Sequence, residues 1–264
     1  MKYRFAEDAK PQLKLLLLAT AITIALWFIP YAEWLVYPVR LFVTFIHESS
    51  HALVTLLTGG SVQSLTVFSN GEGVVWSAIA ENNWFAQVLV SSAGYLGTTF
   101  FGVLLLFLIR REISPRAVLF SLAGFIGLMT LVFGLIVPLF NLFGGQVTIS
   151  SIAFTTVLGA ALAAAMLGIG RFASLKTANF AVAFLAVQLV LNALLDLKTL
   201  FFLNAPFVGS DIQTDAMNMQ NATGLPAVAW ILIWIVLSVV MISVGLRVYA
   251  VSQRGKQHDL PFED

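Results

Sequence analysis

The chain has 264 residues, of which 59% are hydrophobic and 10% charged, with a mean hydropathy of +0.92, whereas a soluble domain carries about 25% charged residues. A formal net charge of +1, with 14 basic residues scattered along the chain, excludes the basic stripe that nucleic acid requires. The absence of cysteine excludes disulfides and thiolate metal sites, so any metal must be held by His and carboxylate. This is the composition of an integral, multi-pass membrane protein whose surroundings are the lipid bilayer.

The N-terminus carries Lys2, Arg4, Lys10 and Lys14 ahead of an apolar run from Leu15 to Pro30. It resembles a signal peptide in outline, but the run ends in Leu26-Trp27-Phe28-Ile29-Pro30 without a small-residue cleavage motif, and we read it as a retained helix. A spanning helix needs about 20 predominantly apolar residues. Runs that meet or approach this lie at 14–30, 39–58, 84–109, 117–139, 148–170, 177–203 and 227–250. Pro30 and Pro38, Gly59-Gly60, Arg110 to Arg116, Asn141 with Gly144-Gly145, and Arg171 to Lys176 separate them, each a chemically sensible helix end.

Between the second and third runs, Ser61 to Phe68 and Val74 to Ser77 are rich in β-branched residues and flank Asn70-Gly71, a strong hairpin signal. A hairpin so weakly polar, placed between two membrane helices, is expected to lie against or partly within the bilayer with its backbone groups paired or facing a wet cavity. The segment 204–226 is too polar to span and too apolar to be a plain linker. The expected fold is therefore an all-α integral membrane bundle of six or seven transmembrane helices, with a membrane-associated β-hairpin between helices 2 and 3. Residues 1–250 read as one polytopic membrane domain and 251–264 as a polar tail, in which His258 is a solvated residue.

The second run contains His47-Glu48-Ser49-Ser50-His51. Residues four apart share one helix face, so both imidazoles can ligate one ion while Glu48, about 100° round, stays near a bound water. Zinc with two His and one carboxylate keeps a fourth position for water, lowers its pKa toward about 7 and polarises a carbonyl. Glu48 is then placed to take the water's proton and pass it to a leaving amine. The setting strengthens this reading, because ionisable groups inside a membrane are costly and by default functional. Two of the chain's three histidines are in this motif.

A third ligand must come from elsewhere in the membrane domain. Glu112 lies among arginines and is better explained as their partner, and Glu81 follows the hairpin, which leaves Asp196, Asp211 and Asp215. Asp196 shares a helical face with Asn192, and it reads equally as a partner of Lys198 or as an outer acceptor for a ligand histidine. Composition does not choose among the three aspartates.

The ordered set of His47-Glu48-Ser49-Ser50-His51-Ala52, Gly59-Gly60-Ser61-Val62, Asn70-Gly71-Glu72-Gly73-Val74, Ser92-Ala93-Gly94-Tyr95-Leu96-Gly97, Thr214-Asp215-Ala216, Thr223-Gly224-Leu225-Pro226 and Trp230 resembles the site-2-protease group of intramembrane zinc metalloproteases, within it the M50B-like peptidases. The resemblance implies an intramembrane zinc endopeptidase acting on membrane-embedded or membrane-proximal protein substrates. It makes Asp215 the third ligand, with Asp211, Asp196 and Asn192 in reserve. It also implies a hairpin that offers an edge to extended substrate. The chain departs from the wider group in lacking a Leu-Asp-Gly segment and any inserted PDZ-like domain. The competing expectation is a non-catalytic membrane protein, a transporter or a degenerate protease relative acting as a binding scaffold. An inert scaffold has no need of Glu48, and inverted repeats of the transporter kind are not evident. Substrate identity and oligomeric state are not encoded in any of these features.

Overall fold

Because the bilayer core offers no water to a backbone N–H or C=O, spanning segments must satisfy these groups internally. In the computed structural model, which describes residues 9–29, 31, 33–80, 83–145, 147–204 and 214–248, each of the seven apolar runs forms a helix. The first two become α1 (Lys10–Phe28) and α2 (Glu33–Leu57). After the hairpin come α3 (Trp84–Arg110), then a rod built of α4 (Pro115–Met129), a π-helical stretch (Thr130–Ile136) and α5 (Val137–Phe140). The chain continues with α6 (Ile149–Phe172), α7 (Leu175–Leu203), the short α8 (Asp215–Thr223) and α9 (Ala227–Arg247). Among the described residues, five of these segments are long and apolar enough to cross a membrane: Trp84–Arg110, Pro115–Phe140, Ile149–Phe172, Leu175–Leu203 and Ala227–Arg247. The motif residues from His47 to His51 dilute the hydropathy of α2. The tail 251–264, with His258, lies outside the described residues.

Helix ends follow local chemistry. Asn83, Thr148, Ser174 and Thr214 each accept an N–H of the first turn of α3, α6, α7 and α8, respectively, satisfying a donor that the helix itself leaves unpaired. Gly59 after α2 and Gly224 after α8 have φ of 79° and 76°, a left-handed conformation that glycine adopts without a Cβ clash.

Small residues set the helix spacing, as bundles in lipid require. A Cβ on Gly102 would meet Leu189 and Val190 of α7, and one on Gly245 would meet Val103 of α3. Gly159 and Gly170 likewise admit Thr130 and Phe120, whereas Gly168 faces open space. The third helix is central, packing on α2, α7, α8 and α9. A separate cluster of Leu197, Leu200, Ala216, Met219, Ala227, Ile231 and Trp234 binds α7, α8 and α9 together.

The hairpin consists of β1 (Ser61–Val67) and β2 (Gly73–Ala78), antiparallel, with Val67 opposite Gly73, Leu65 opposite Val75 and a bulge between Val62 and Ser64. Its turn is tied to the N-terminal half of α2: the Thr44 hydroxyl donates to the Gly71 carbonyl at 2.9 Å and the Tyr37 hydroxyl to that of Ser69 at 2.6 Å. The outer edge of β1 is closed by helices. Thr155, in the second turn of α6, accepts the Val67 N–H at 2.9 Å and donates to the Val67 carbonyl at 3.2 Å, while the Asn141 amide donates to the Gln63 carbonyl at 3.3 Å. Since Val67 turns both backbone groups away from β2, the Val67–Gly73 and Leu65–Val75 pairs are the non-hydrogen-bonded ones. Gly73 and Val75 therefore present their N–H and C=O groups along the outer edge of β2.

Leaving a buried donor or acceptor unpaired costs about 1–3 kcal/mol. Thr155→Val, which keeps the shape and removes the hydroxyl, is expected to destabilise the protein by that order and to speed hydrogen exchange at the Val67 amide more than at amides of α3. Thermal unfolding in detergent together with site-resolved exchange checks this.

Candidate metal centre

The motif helix points both imidazoles of His47 and His51 at α3, where the residue that faces them is Gly94. A Cβ at this position would overlap Nε2 of both rings, and one on Gly97 would overlap the Ser50 hydroxyl. The Gly94-Tyr95-Leu96-Gly97 segment thus gives α3 the flat face that leaves room for two histidine side chains.

Asp215 arrives from the far end of the chain. It is the first residue of α8 and sits beside the Thr214 cap, where the helix dipole favours a carboxylate. The turn behind it is pinned twice. The Gln220 side-chain carbonyl accepts the Ala227 N–H at 2.9 Å, and the Trp230 indole N–H donates to the Thr223 hydroxyl at 2.9 Å. These bonds explain why Thr214, Thr223-Gly224 and Trp230 accompany Asp215 in the sequence: together they hold α8 at a fixed angle against α9.

The three ligand atoms converge. His47 Nε2 and His51 Nε2 are 3.1 Å apart, and Asp215 Oδ2 lies 3.5 Å from the first and 3.3 Å from the second. Tetrahedral zinc with bonds near 2.0–2.1 Å has ligand atoms about 3.3–3.4 Å apart. The observed spacings match one face of such a tetrahedron and leave its fourth corner clear of the three. His51 Nδ1 lies 2.7 Å from the Val90 carbonyl; with Nδ1–H donating there, Nε2 presents its lone pair to the centre. Among the described residues, His47, His51 and Asp215 form the group of side chains arranged to hold a metal ion.

The other residues singled out from sequence stand apart from this group. Asn192 donates to the Gln188 backbone carbonyl at 2.9 Å and to the Gln188 side-chain oxygen at 3.1 Å, and Gln188 in turn donates to Thr23 at 2.5 Å; it belongs to a polar ladder joining α7 to α1. Asp196, one turn further along α7, does not enter the ligand group. Asp211 lies outside the described residues. Glu48 is buried beneath the hairpin, its Cγ and Oε1 where a Cβ of Gly73 would be.

Two contributors escaped sequence reasoning. The Val90 carbonyl is a backbone group, so no side chain marks it. Gly73 did leave a trace: a glycine inside a strand signals the close approach of another group, but the Asn70-Gly71 turn signal had already accounted for its neighbourhood.

A helix bundle with five membrane-length helices among the described residues, a hairpin between α2 and α3 and a converged His-His-Asp group is the architecture of a multi-pass membrane protein with a candidate metal site. The chain belongs to the Peptidase M50B-like family, whose model matches residues 17–245. It is thus an integral membrane protein of a peptidase family, as the ordered motifs imply. No curated protein and no solved structure matches it.

Gly94→Ala is expected to weaken metal binding by about tenfold or more, the scale seen when groups supporting metal ligands are disturbed, because the new methyl occupies the space of both imidazoles. Gly124→Ala, with nothing within 4 Å of its added Cβ, is the matched control. Zinc competition against a chromophoric chelator measures both.

Proposed function

We propose that the chain is an intramembrane zinc endopeptidase, with His47, His51 and Asp215 as ligands and Glu48 as general base. The observation that carries this reading is the set of 3.1, 3.3 and 3.5 Å separations among three ligand atoms, two of them on the helix that also carries Glu48 and the third on α8. Bound there, zinc would supply a Lewis acid for the scissile carbonyl and acidify a water. The residues of the chain do the rest. Glu48 accepts the water's proton and returns it to the departing amine. Its burial under Gly73 keeps bulk solvent from competing for that proton.

A transmembrane substrate hides its carbonyls in its own helix, so cleavage needs an extended segment. The β2 edge suits that need. Gly73 and Val75 offer backbone groups with no hydrogen-bond partner among the described residues on the strand that crosses Glu48, whereas the β1 edge is already closed by Thr155 and Asn141. An extended segment of a membrane protein added to β2 would run past the general base, with main-chain bonds giving affinity.

Glu48→Gln is expected to abolish cleavage of a membrane substrate while retaining about one zinc per chain, and His47→Ala to lose the zinc. A Glu48→Gln protein that cleaves at the normal rate would refute the mechanism, and a folded, zinc-free wild-type protein would favour the scaffold reading. Val75→Pro removes an N–H that the ladder does not use. It is expected to lower cleavage about tenfold, the loss of roughly one good hydrogen bond, with zinc content unchanged.

A further inference from the structure

The two histidines are oriented by different means. His51 has an acceptor behind it in the Val90 carbonyl. His47 makes its polar contacts through Nε2, with His51 and Asp215, and its Nδ1 has no hydrogen-bond partner among the described residues. A metal-ligating histidine almost always has its second nitrogen fixed by an acceptor. What lies against the His47 ring instead is Tyr95: the ring centroids are 4.7 Å apart and the planes stand at 86°, the edge-to-face arrangement that the aromatic quadrupole favours.

Tyr95 is itself held. It stacks on Trp234 at 5.4 Å with an interplanar angle of 26°, and the Trp234 indole N–H donates to the Ser92 hydroxyl at 3.0 Å. Ser92 lies on α3, three residues before Tyr95, so the tryptophan of α9 is fastened to the helix that carries the tyrosine. Trp234 is 1% exposed, which leaves Tyr95 no room to swing away from His47 on that side.

We propose that Tyr95 is the positioning residue for His47, its ring doing by edge-to-face packing what the Val90 carbonyl does for His51 by hydrogen bonding. The work is done by the aromatic ring and not by the phenol hydroxyl. The inference rests on the reading of His47 as a zinc ligand, but ring packing needs no metal, so the contact is testable separately in metal-free protein.

Two measurements on purified full-length protein separate the outcomes. In zinc competition, Tyr95→Phe is expected to bind as wild type, while Tyr95→Leu weakens binding about 10–100-fold, the range for lost supporting contacts. Leu binding as tightly as wild type, or Phe as weakly as Leu, overturns the proposal. In the metal-free protein labelled at histidine, the ring protons of His47, assigned against His51→Ala and His258→Ala, are expected to show a ring-current shift that survives Tyr95→Phe and disappears in Tyr95→Leu. An unshifted His47 in wild type also overturns it. If wild type binds no zinc yet His47 is shifted, the metalloprotease reading falls and the Tyr95 contact stands. Should Tyr95→Leu fail to fold, the unbranched Tyr95→Met takes its place in both measurements.

Discussion

Helices α2 and α3 approach closely at Gly94 and Gly97, where added side chains would collide with His47, His51 and Ser50, and the rest of the site depends on that contact. Two imidazoles and a serine side chain occupy the volume that side chains on α3 would otherwise fill. In lipid there is no hydrophobic drive between helices, so packing of this kind carries the association. The same contact that joins the helices also clears the space in which polar ligands meet. Stability and site geometry are therefore not separable at Gly94: a larger residue would push apart both the helices and the ligands.

Around that contact the protein settles its buried polar groups one at a time. Val67 finds Thr155, His51 finds Val90, Trp234 finds Ser92 and Thr223 finds Trp230. Each bond spans two elements, so each also fixes an orientation. Ser50 and Asn204 donate to carbonyls one turn back, those of Ile46 and Leu200. In the low-dielectric interior a local carbonyl is the nearest acceptor, and a hydroxyl or amide on a helix reaches it without disturbing its neighbours.

The hairpin shows the same economy. One edge is consumed by α6 and by Asn141, and along the other Gly73 and Val75 have no hydrogen-bond partner among the described residues. An open edge is a hazard for a protein in water, where it invites aggregation. Beside the buried Glu48 it is instead the edge proposed to hold an extended substrate.

The amino-acid sequence alone determined the membrane setting, the position of every long helix except that α2 begins at Glu33 and runs through Pro38, the hairpin between α2 and α3, and the pairing of His47 with His51 around Glu48. These are local properties: apolar run length, the 3.6-residue period and the Asn70-Gly71 turn act over a few residues and leave their mark there. Family resemblance pointed to Asp215, but residue type did not separate it from Asp196 and Asp211, because all three are aspartates in or near membrane helices. Only the tertiary structure brought Asp215 within 3.5 Å of both histidines, set Asn192 on the ladder with Gln188, closed one hairpin edge and stood Tyr95 against His47. Residues 168 positions apart meet only when α8 docks on α9 and α3, and no local pattern records the angle at which helices cross.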